Sequence, residues 1–261
     1  SCAGGVTGRM DLGTIYGSGG WGTVSSESGD YVGGVCGLSI STIRKSYAKC
    51  SLSGRKYIGG IVGSGSRVSD CVSMAKITDY TQQGGAIAGE ITDMYSGNLF
   101  VSDRLAGVDR ISFSGKADQV SYEDLCARAD LPDQFRRLTL SFTVDGRTLK
   151  KQLFSYGDSF TAEDYPAVPE KEGCYVHWNK TDLKNLRFDT VVSGEYKPYV
   201  TTLGSAQQRT NQRPVLLVQG NFREGDVLRV EDVSAQVSGN VVEAWSVQIP
   251  DDGLSDHTVR W

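Results

Sequence analysis

The sequence predicts a mainly β chain: a β-solenoid-like repeat region, a hairpin-built module, a small C-terminal β module and one short linking helix. Three observations carry this. A glycine-rich motif recurs at a near-constant interval through the first ninety residues. Strict apolar–polar alternation runs into an Asp-Gly pair at 145–146. Composition shifts along the chain, with 21 of the 32 glycines and none of the six prolines before residue 105.

The repeat comes first. GGVTG covers 4–8, GGVCG 33–37, GGIVG 59–63 and GAIAG 85–89. Gly33 to Gly59 is 26 residues and Gly59 to Gly85 is 26 again, whereas Gly4 to Gly33 is 29, so the first copy carries a small insertion. Between them, IRKSYAKCSL (43–52) aligns with VSDCVSMAKI (68–77) at an offset of 25, matching Ile43 to Val68, Tyr47 to Val72 and Leu52 to Ile77. A period of this size predicts stacked repeats that bury their apolar faces on each other. Short apolar runs at 31–35, 57–62 and 86–91 alternate with Gly, Ser and Asp, and none sustains a helical period. They predict two or so short strands per repeat. Glycine in such a strand costs backbone entropy, so its recurrence needs a reason. It accepts positive φ and leaves room for close backbone approach where each coil turns, with Ile58, Ile61 and Val62 packing beside the turn. This region is assigned to 1–118.

Residues 119–134 change character. Ser121 followed by Glu123 and Asp124, with Tyr122, Leu125 and Cys126 at i, i+3 and i+4, predicts a short capped helix ended by Pro132. From 138, Leu138, Leu140, Phe142 and Val144 alternate with polar residues up to Asp145-Gly146, which predicts a tight hairpin. YPAVPEKEGCYVHW (165–178) has prolines that favour extended chain, and LRFDTVVSGEYKPYVTTL (186–203) predicts further strands. Helix and module together are assigned to 119–204. GSAQQRTNQRP (204–214) is polar, ends in proline and reads as a linker. The last module, 205–261, is expected to hold strands at 215–218, 227–230, 241–249 and 258–261.

The net charge of −4 shows no basic stripe, so nucleic acid is not an expected partner. No run of 18 apolar residues exists, and no membrane contact by this chain is expected. The chain starts inside a repeat and ends on a predicted strand, the pattern expected of a piece of a longer protein. The six cysteines form no CxxC, and the two histidines, His177 and His257, lie far apart, so neither metal nor cofactor is expected. Cys50 and Cys71 occupy apolar repeat positions and read as small core residues. A Cys36–Cys50 disulfide stays open at this level.

The GGVCG, GGIVG and GAIAG copies with SYAKCSLSG between them resemble the GLUG-motif repeats of bacterial surface proteins. The middle region resembles an internalin B-repeat (Listeria–Bacteroides repeat) through Phe142, Asp145, Gly146, Tyr156, Gly157, Pro166, Pro169, Glu172, Gly173, Trp178, Phe188 and Tyr199. It departs at Cys174 and His177, where the common pattern has an aromatic and a glycine. The last region resembles tail modules of Gram-positive surface proteins. These resemblances imply a β-grasp-like middle module and an extracellular, cell-surface-attached parent. They carry no catalytic residues to transfer.

Motifs for chemistry are sparse. GSGGWG satisfies G-x-G-x-x-G through Gly17, Gly19 and Gly22, but TVSSESGDYVGG follows instead of a helix, so a turn is the expected structure. Ser64 lacks a nucleophile-elbow sequence, and His257 beside Asp256 reads as a turn entering a strand. Polysaccharide cleavage would need paired carboxylates in a groove; Asp70, Asp79, Asp93 and Asp103 do not recur at one repeat position and read as turn residues. Tyr16, Trp21, Tyr31, Tyr57 and Tyr80 lie near repeat turns, where exposed rings would stack on sugars or anchor a protein. The expected function is a non-enzymatic adhesion or interaction scaffold, or spacer, with an unknown protein or glycan as partner. The alternatives are a carbohydrate-binding module and a β-solenoid polysaccharide-degrading enzyme. No site residue is assigned.

Overall fold

A computed structural model describes residues 1–79, 82–208, 212–250 and 257–260. The chain forms two compact units, Ser1–Leu138 with Phe154–Tyr156, and Thr139–Leu153 with Gly157–Trp261.

The first unit is a parallel β-solenoid of about four coils. Coil one holds β1 (Cys2–Gly4), β2 (Thr7–Met10), β3 (Thr14–Tyr16) and β4 (Gly19–Ser25); coil two holds β5 (Tyr31–Gly33), β6 (Cys36–Arg44) and β7 (Tyr47–Ser53). Coil three holds β8 (Lys56–Gly59), β9 (Val62–Ser69), β10 (Val72–Ser73) and β11 (Lys76–Asp79); coil four holds β12 (Gln82–Gly85), β13 (Ala88–Ser96) and β14 (Asn98–Phe100). Equivalent strands pair in parallel and build three sheets: β1-β5-β8-β12, then β2 and β3 on β6-β9-β13, then β4 on β7 with β10, β11 and β14 beyond it. Each coil therefore has three faces, not two. The apolar runs at 31–35 and 57–62, read as single strands, each straddle a corner between the first and second sheets.

The register matches the sequence alignment residue for residue. Gly4 pairs with Gly33, Gly33 with Gly59, and Gly59 with Gly85. Ile43 meets Val68, Tyr47 meets Val72 and Leu52 meets Ile77. The repeat length slips by one residue inside the second sheet, where the pairing shifts between Ser39 and Thr42. Inside, Val35, Ile61 and Ile87 follow one another up the coils, as do Cys36, Val62 and Ala88, all fully buried. Full burial of a side chain of this size stabilises by about 1.5–3 kcal/mol, and the coils repeat that gain layer by layer.

The repeat glycines serve one of the two purposes expected of them. Gly33, Gly34, Gly37, Gly59, Gly60 and Gly63 all lie outside the left-handed region. What they supply is space. A Cβ on Gly59 would collide with the Val62 carbonyl oxygen and with Ala88 Cα, and one on Gly33 with the Cys36 carbonyl oxygen. Positive φ occurs at non-glycine residues of the first sheet, Tyr57 (53°) and Gln83 (51°), and recurs at the corner between the second and third sheets, at Gly17 (60°), Lys45 (49°), Asp70 (54°) and Gly97 (64°). Three of the four positions at that second corner hold Gly or Asp, residues that enter the left-handed region at low cost. Behind that corner Asn98 is fully buried and satisfied: its amide donates to the Val68 and Lys116 carbonyls and its oxygen accepts from Cys71 N.

The last coil is covered in part by its own chain, with β13 left as the edge of the second sheet. Ala86 and Ile87 donate to the carbonyls of Ala106 and Gly107, and β15 (Ala117–Gln119) pairs with β14 as a partial fifth layer. Two short helices follow, α1 (Tyr122–Cys126) and α2 (Asp133–Arg136). Ser121 caps α1 as expected, accepting from Asp124 N at 3.0 Å. Pro132 does not end that helix, which stops at Cys126; it precedes α2, where a missing N–H costs nothing. The second helix escaped the sequence because four residues carry no period. This segment lies along the third sheet as a strap. Fully buried Phe135 packs edge-on to Trp21 (5.3 Å) and Tyr47 (6.3 Å), and Lys49, 4% exposed, donates from Nζ to the Gln134 and Arg137 carbonyls at 3.0 and 2.6 Å.

The second unit is built on β16 (Leu138–Val144), β17 (Arg147–Phe154), β18 (Cys174–Trp178) and β19 (Thr190–Pro198), in the order β17-β16-β19-β18. The central pair β16–β19 is parallel and β18–β19 antiparallel, a β-grasp-like arrangement. Asp145 and Gly146 both take positive φ (48° and 76°), the two-residue turn the sequence predicts. Leu138, Leu140, Phe142 and Val144 are buried in strict alternation. Where a grasp helix would cross, the chain is extended, with one 3-10 turn (Ala162–Asp164) held by a Thr161–Asp164 capping box. Tyr165 and Trp178 close over Phe142. The C-terminal part adds β20 (Val200–Gly204), β21 (Leu217–Phe222), β22 (Arg229–Asp232), β23 (Trp245–Gln248) and β24 (Thr258–Arg260), in a three-stranded and a two-stranded sheet around Leu216, Val218, Phe222, Leu228 and Val230. The stretch 204–214, read as a linker, connects two paired strands: Gly204 faces Leu217, and Ser205 N donates to the Leu216 carbonyl.

Candidate functional site

The rings nominated by the sequence are engaged with their own neighbours. Tyr31 and Tyr57, one coil apart, stack at 5.0 Å with 7° between planes, and Lys56 Nζ lies 4.9 Å from the Tyr57 ring centre. Tyr16 is 54% exposed and carries Arg44 Cζ at 5.1 Å and Lys45 Nζ at 5.9 Å from its ring. Trp21 packs between Tyr47 and Phe135 beneath the strap. Tyr80 lies outside the described residues. Sugar stacking needs an open aromatic face; Tyr16 and Trp21 (37% exposed) are the more exposed of the nominated rings, and in the Tyr31–Tyr57 pair two part-buried rings lie side by side.

The carboxylates do not converge. Asp70 occupies a left-handed corner, Asp93 faces Arg67 at 3.8 Å on the second sheet, and Asp103 lies in the loop after β14. Asp79 ends β11, and its side chain is outside the described residues. Asp30, at the turn into β5, makes a two-point ion pair with Arg55 at 2.6 and 2.7 Å, and that hydrogen-bonded guanidinium holds its carboxyl below the usual range.

The remaining motifs resolve into structure. Gly17 is a corner, Gly19 and Gly22 lie in β4, and no helix follows, so the phosphate-cradling geometry is not formed. Ser64 donates to Glu90 Oε2 at 2.9 Å across adjacent coils. His177 sits on β18 opposite Glu195, and His257 stacks on Phe222 at 5.2 Å; Asp256 lies outside the described residues. Among the described residues no three His, Cys, Asp or Glu side chains come together to hold a metal, and no described helix is long and apolar enough to cross a membrane. Cys36, Cys50 and Cys71 are buried core residues, and burial pushes their thiols up to about 11, 12 and 12. At neutral pH they are protonated and poor nucleophiles. Lys49 and Phe135 organise the strap and were missed in the sequence. A lone aromatic in a charged stretch, DLPDQFRRL (130–138), was the available signal.

No family model, curated protein or solved structure matches this chain.

Proposed function

We propose that this chain is a non-enzymatic scaffold or spacer of a bacterial extracellular surface protein, holding an interaction surface away from the cell. The observation that supports this reading most directly is the self-engagement of the nominated rings: Tyr16, Trp21, Tyr31 and Tyr57 each pack on side chains of the same unit. The stacked coils, which repeat one core layer after layer, suit a load-bearing spacer. A carbohydrate-binding module is the second reading, favoured by the side-by-side Tyr31–Tyr57 rings beside Lys56. The polysaccharide-degrading reading draws little support from dispersed carboxylates.

The test is a glycan and extracellular-matrix array probed with the chain and with Tyr31→Ala. The scaffold reading expects no saturable signal that depends on Tyr31. Saturable binding to one glycan class that disappears in the variant, with its melting temperature retained, replaces it with the carbohydrate-binding reading.

A further inference from the structure

The corner between the second and third sheets carries charge that the solenoid does not use. Arg44 ends β6 and Lys45 turns the corner in coil two, and both lie over the Tyr16 ring of coil one, at 5.1 and 5.9 Å. Asp70 turns the same corner in coil three: Gly17 N donates to the Arg44 carbonyl, Lys45 N to that of Ser69 and Asp70 N to that of Ser96. Tyr16, Arg44, Lys45 and Asp70 are all exposed. They stand on the side wall of the solenoid and not at an end, because Ile15, Ile43 and Val68 just before them are buried in the core.

The other arginines of residues 1–79, Arg9, Arg55 and Arg67, each pair with an aspartate: Asp11, Asp30 and Asp93. Among the described residues, Arg44, Lys45 and Asp70 form no ion pair. Asp70 Oδ1 lies over Gly97, where a Cβ would stand 2.6 Å away, so no side chain of the next coil shields it there. Lys45 is also the one long side chain in its column. Gly17, Asp70 and Gly97 take positive φ at low cost and a lysine does not. A residue kept in a costly conformation points to a function for its side chain.

We propose that this corner binds an acidic saccharide, Arg44 and Lys45 pairing with a sugar carboxylate and Asp70 accepting from neighbouring sugar hydroxyls. The Tyr16 ring holds both cations in place, and the guanidinium offers the fork that a carboxylate matches. Asp70, one coil on and about 4.8 Å along the axis, selects the ligand class. A dense polyanion would meet its carboxylate, whereas a single anionic group flanked by hydroxyls satisfies both signs. The site uses neither Tyr31 nor Tyr57, and it goes beyond the scaffold reading without depending on it.

The experiment is titration calorimetry of the 261-residue chain with three probes. A hyaluronan oligosaccharide alternates uronate with neutral sugar, a dextran oligosaccharide is neutral, and polyphosphate is anionic without sugar hydroxyls. The proposal expects saturable binding of hyaluronan that weakens with salt, weaker binding of polyphosphate and none of dextran. Arg44→Gln is expected to weaken hyaluronan binding about tenfold. Lys45→Gly is expected to weaken it with the melting temperature retained, because glycine takes the left-handed corner without strain; that loss cannot come from a loss of fold. Asp70→Asn is expected to weaken it as well, and Tyr31→Ala to change nothing. Absence of saturable hyaluronan binding overturns the proposal, as does an affinity unchanged in both Arg44→Gln and Lys45→Gly. Polyphosphate bound as tightly as hyaluronan, with both strengthened by Asp70→Asn, overturns it in favour of a plain anion patch. Binding abolished by Tyr31→Ala overturns it in favour of the Tyr31–Tyr57 pair.

Discussion

Two glycines, one in each unit, do opposite work. In the solenoid, Gly59 has ordinary backbone angles, and backbone atoms lie where its Cβ would go. In the β-grasp-like module, Gly146 has nothing within 4 Å of that position but sits at φ 76°. One glycine is required by its surroundings, the other by its own torsion. A stacked coil needs space because successive layers sit about 4.8 Å apart and its corners bring backbone onto backbone. A hairpin needs torsion because its turn must match the strand twist.

The widest test of that contrast is Gly59→Ala. Neither the Val62 carbonyl nor the Ala88 backbone can yield as a flexible side chain would, so we expect a loss of about 3 kcal/mol or more. Chemical denaturation followed by exchange within residues 1–119 measures it; a loss no greater than that of Gly146→Ala would break the contrast. Next comes alkaline pH. The buried thiols of the first unit have folded pKa values above their ordinary 9.0. Their contribution is therefore complete below pH 9 and is lost as pH rises toward 11–12. About 1 kcal/mol per thiol should be gone by pH 10, about 3 kcal/mol in all if they act independently. Denaturation at pH 8 and 10 reads it, and half-exposed Cys174 in the second unit should be alkylated in the native protein while Cys50 and Cys71 resist.

Lys49→Met removes two charge-assisted bonds to strap carbonyls and should cost the first unit about 2 kcal/mol, seen as faster exchange through 121–138. An unchanged strap would mean that Phe135 alone holds it. Gly146→Ala should cost about 1 kcal/mol, read on the second unit alone. The smallest effect is expected at Asp30→Asn. The Asp30–Arg55 pair is solvent-exposed, so salt screens it. Because the Asp30 carboxyl is held low, its contribution is present at neutral pH and fades as pH falls through that depressed range. An acid titration of stability that is identical in the variant and the parent would remove this pair from the account.

Much of the solenoid was legible before any coordinates. The 26-residue glycine spacing and the 25-residue offset of 43–52 on 68–77 are statements of register, because each coil meets the same neighbours and side chains at equivalent positions must share one environment. The Asp145-Gly146 turn and the burial alternation of β16 were equally legible, since both are set by residues adjacent in sequence. No functional site was assigned from the sequence, and the nominated rings and carboxylates fell to structural contacts that spacing does not encode.

What only the tertiary structure decided involves residues far apart in the chain. Three faces per coil, the corner where the repeat glycines leave room for backbone, the strap pinned by Lys49 and Phe135, and the pairing of Tyr31 with Tyr57 all depend on which backbone lies opposite which. Local propensity is a property of a few neighbouring residues, so a sequence fixes periods and turns. Whether a glycine is empty space or a hinge, and whether a tyrosine faces solvent or another tyrosine, is settled only when the layers close on one another.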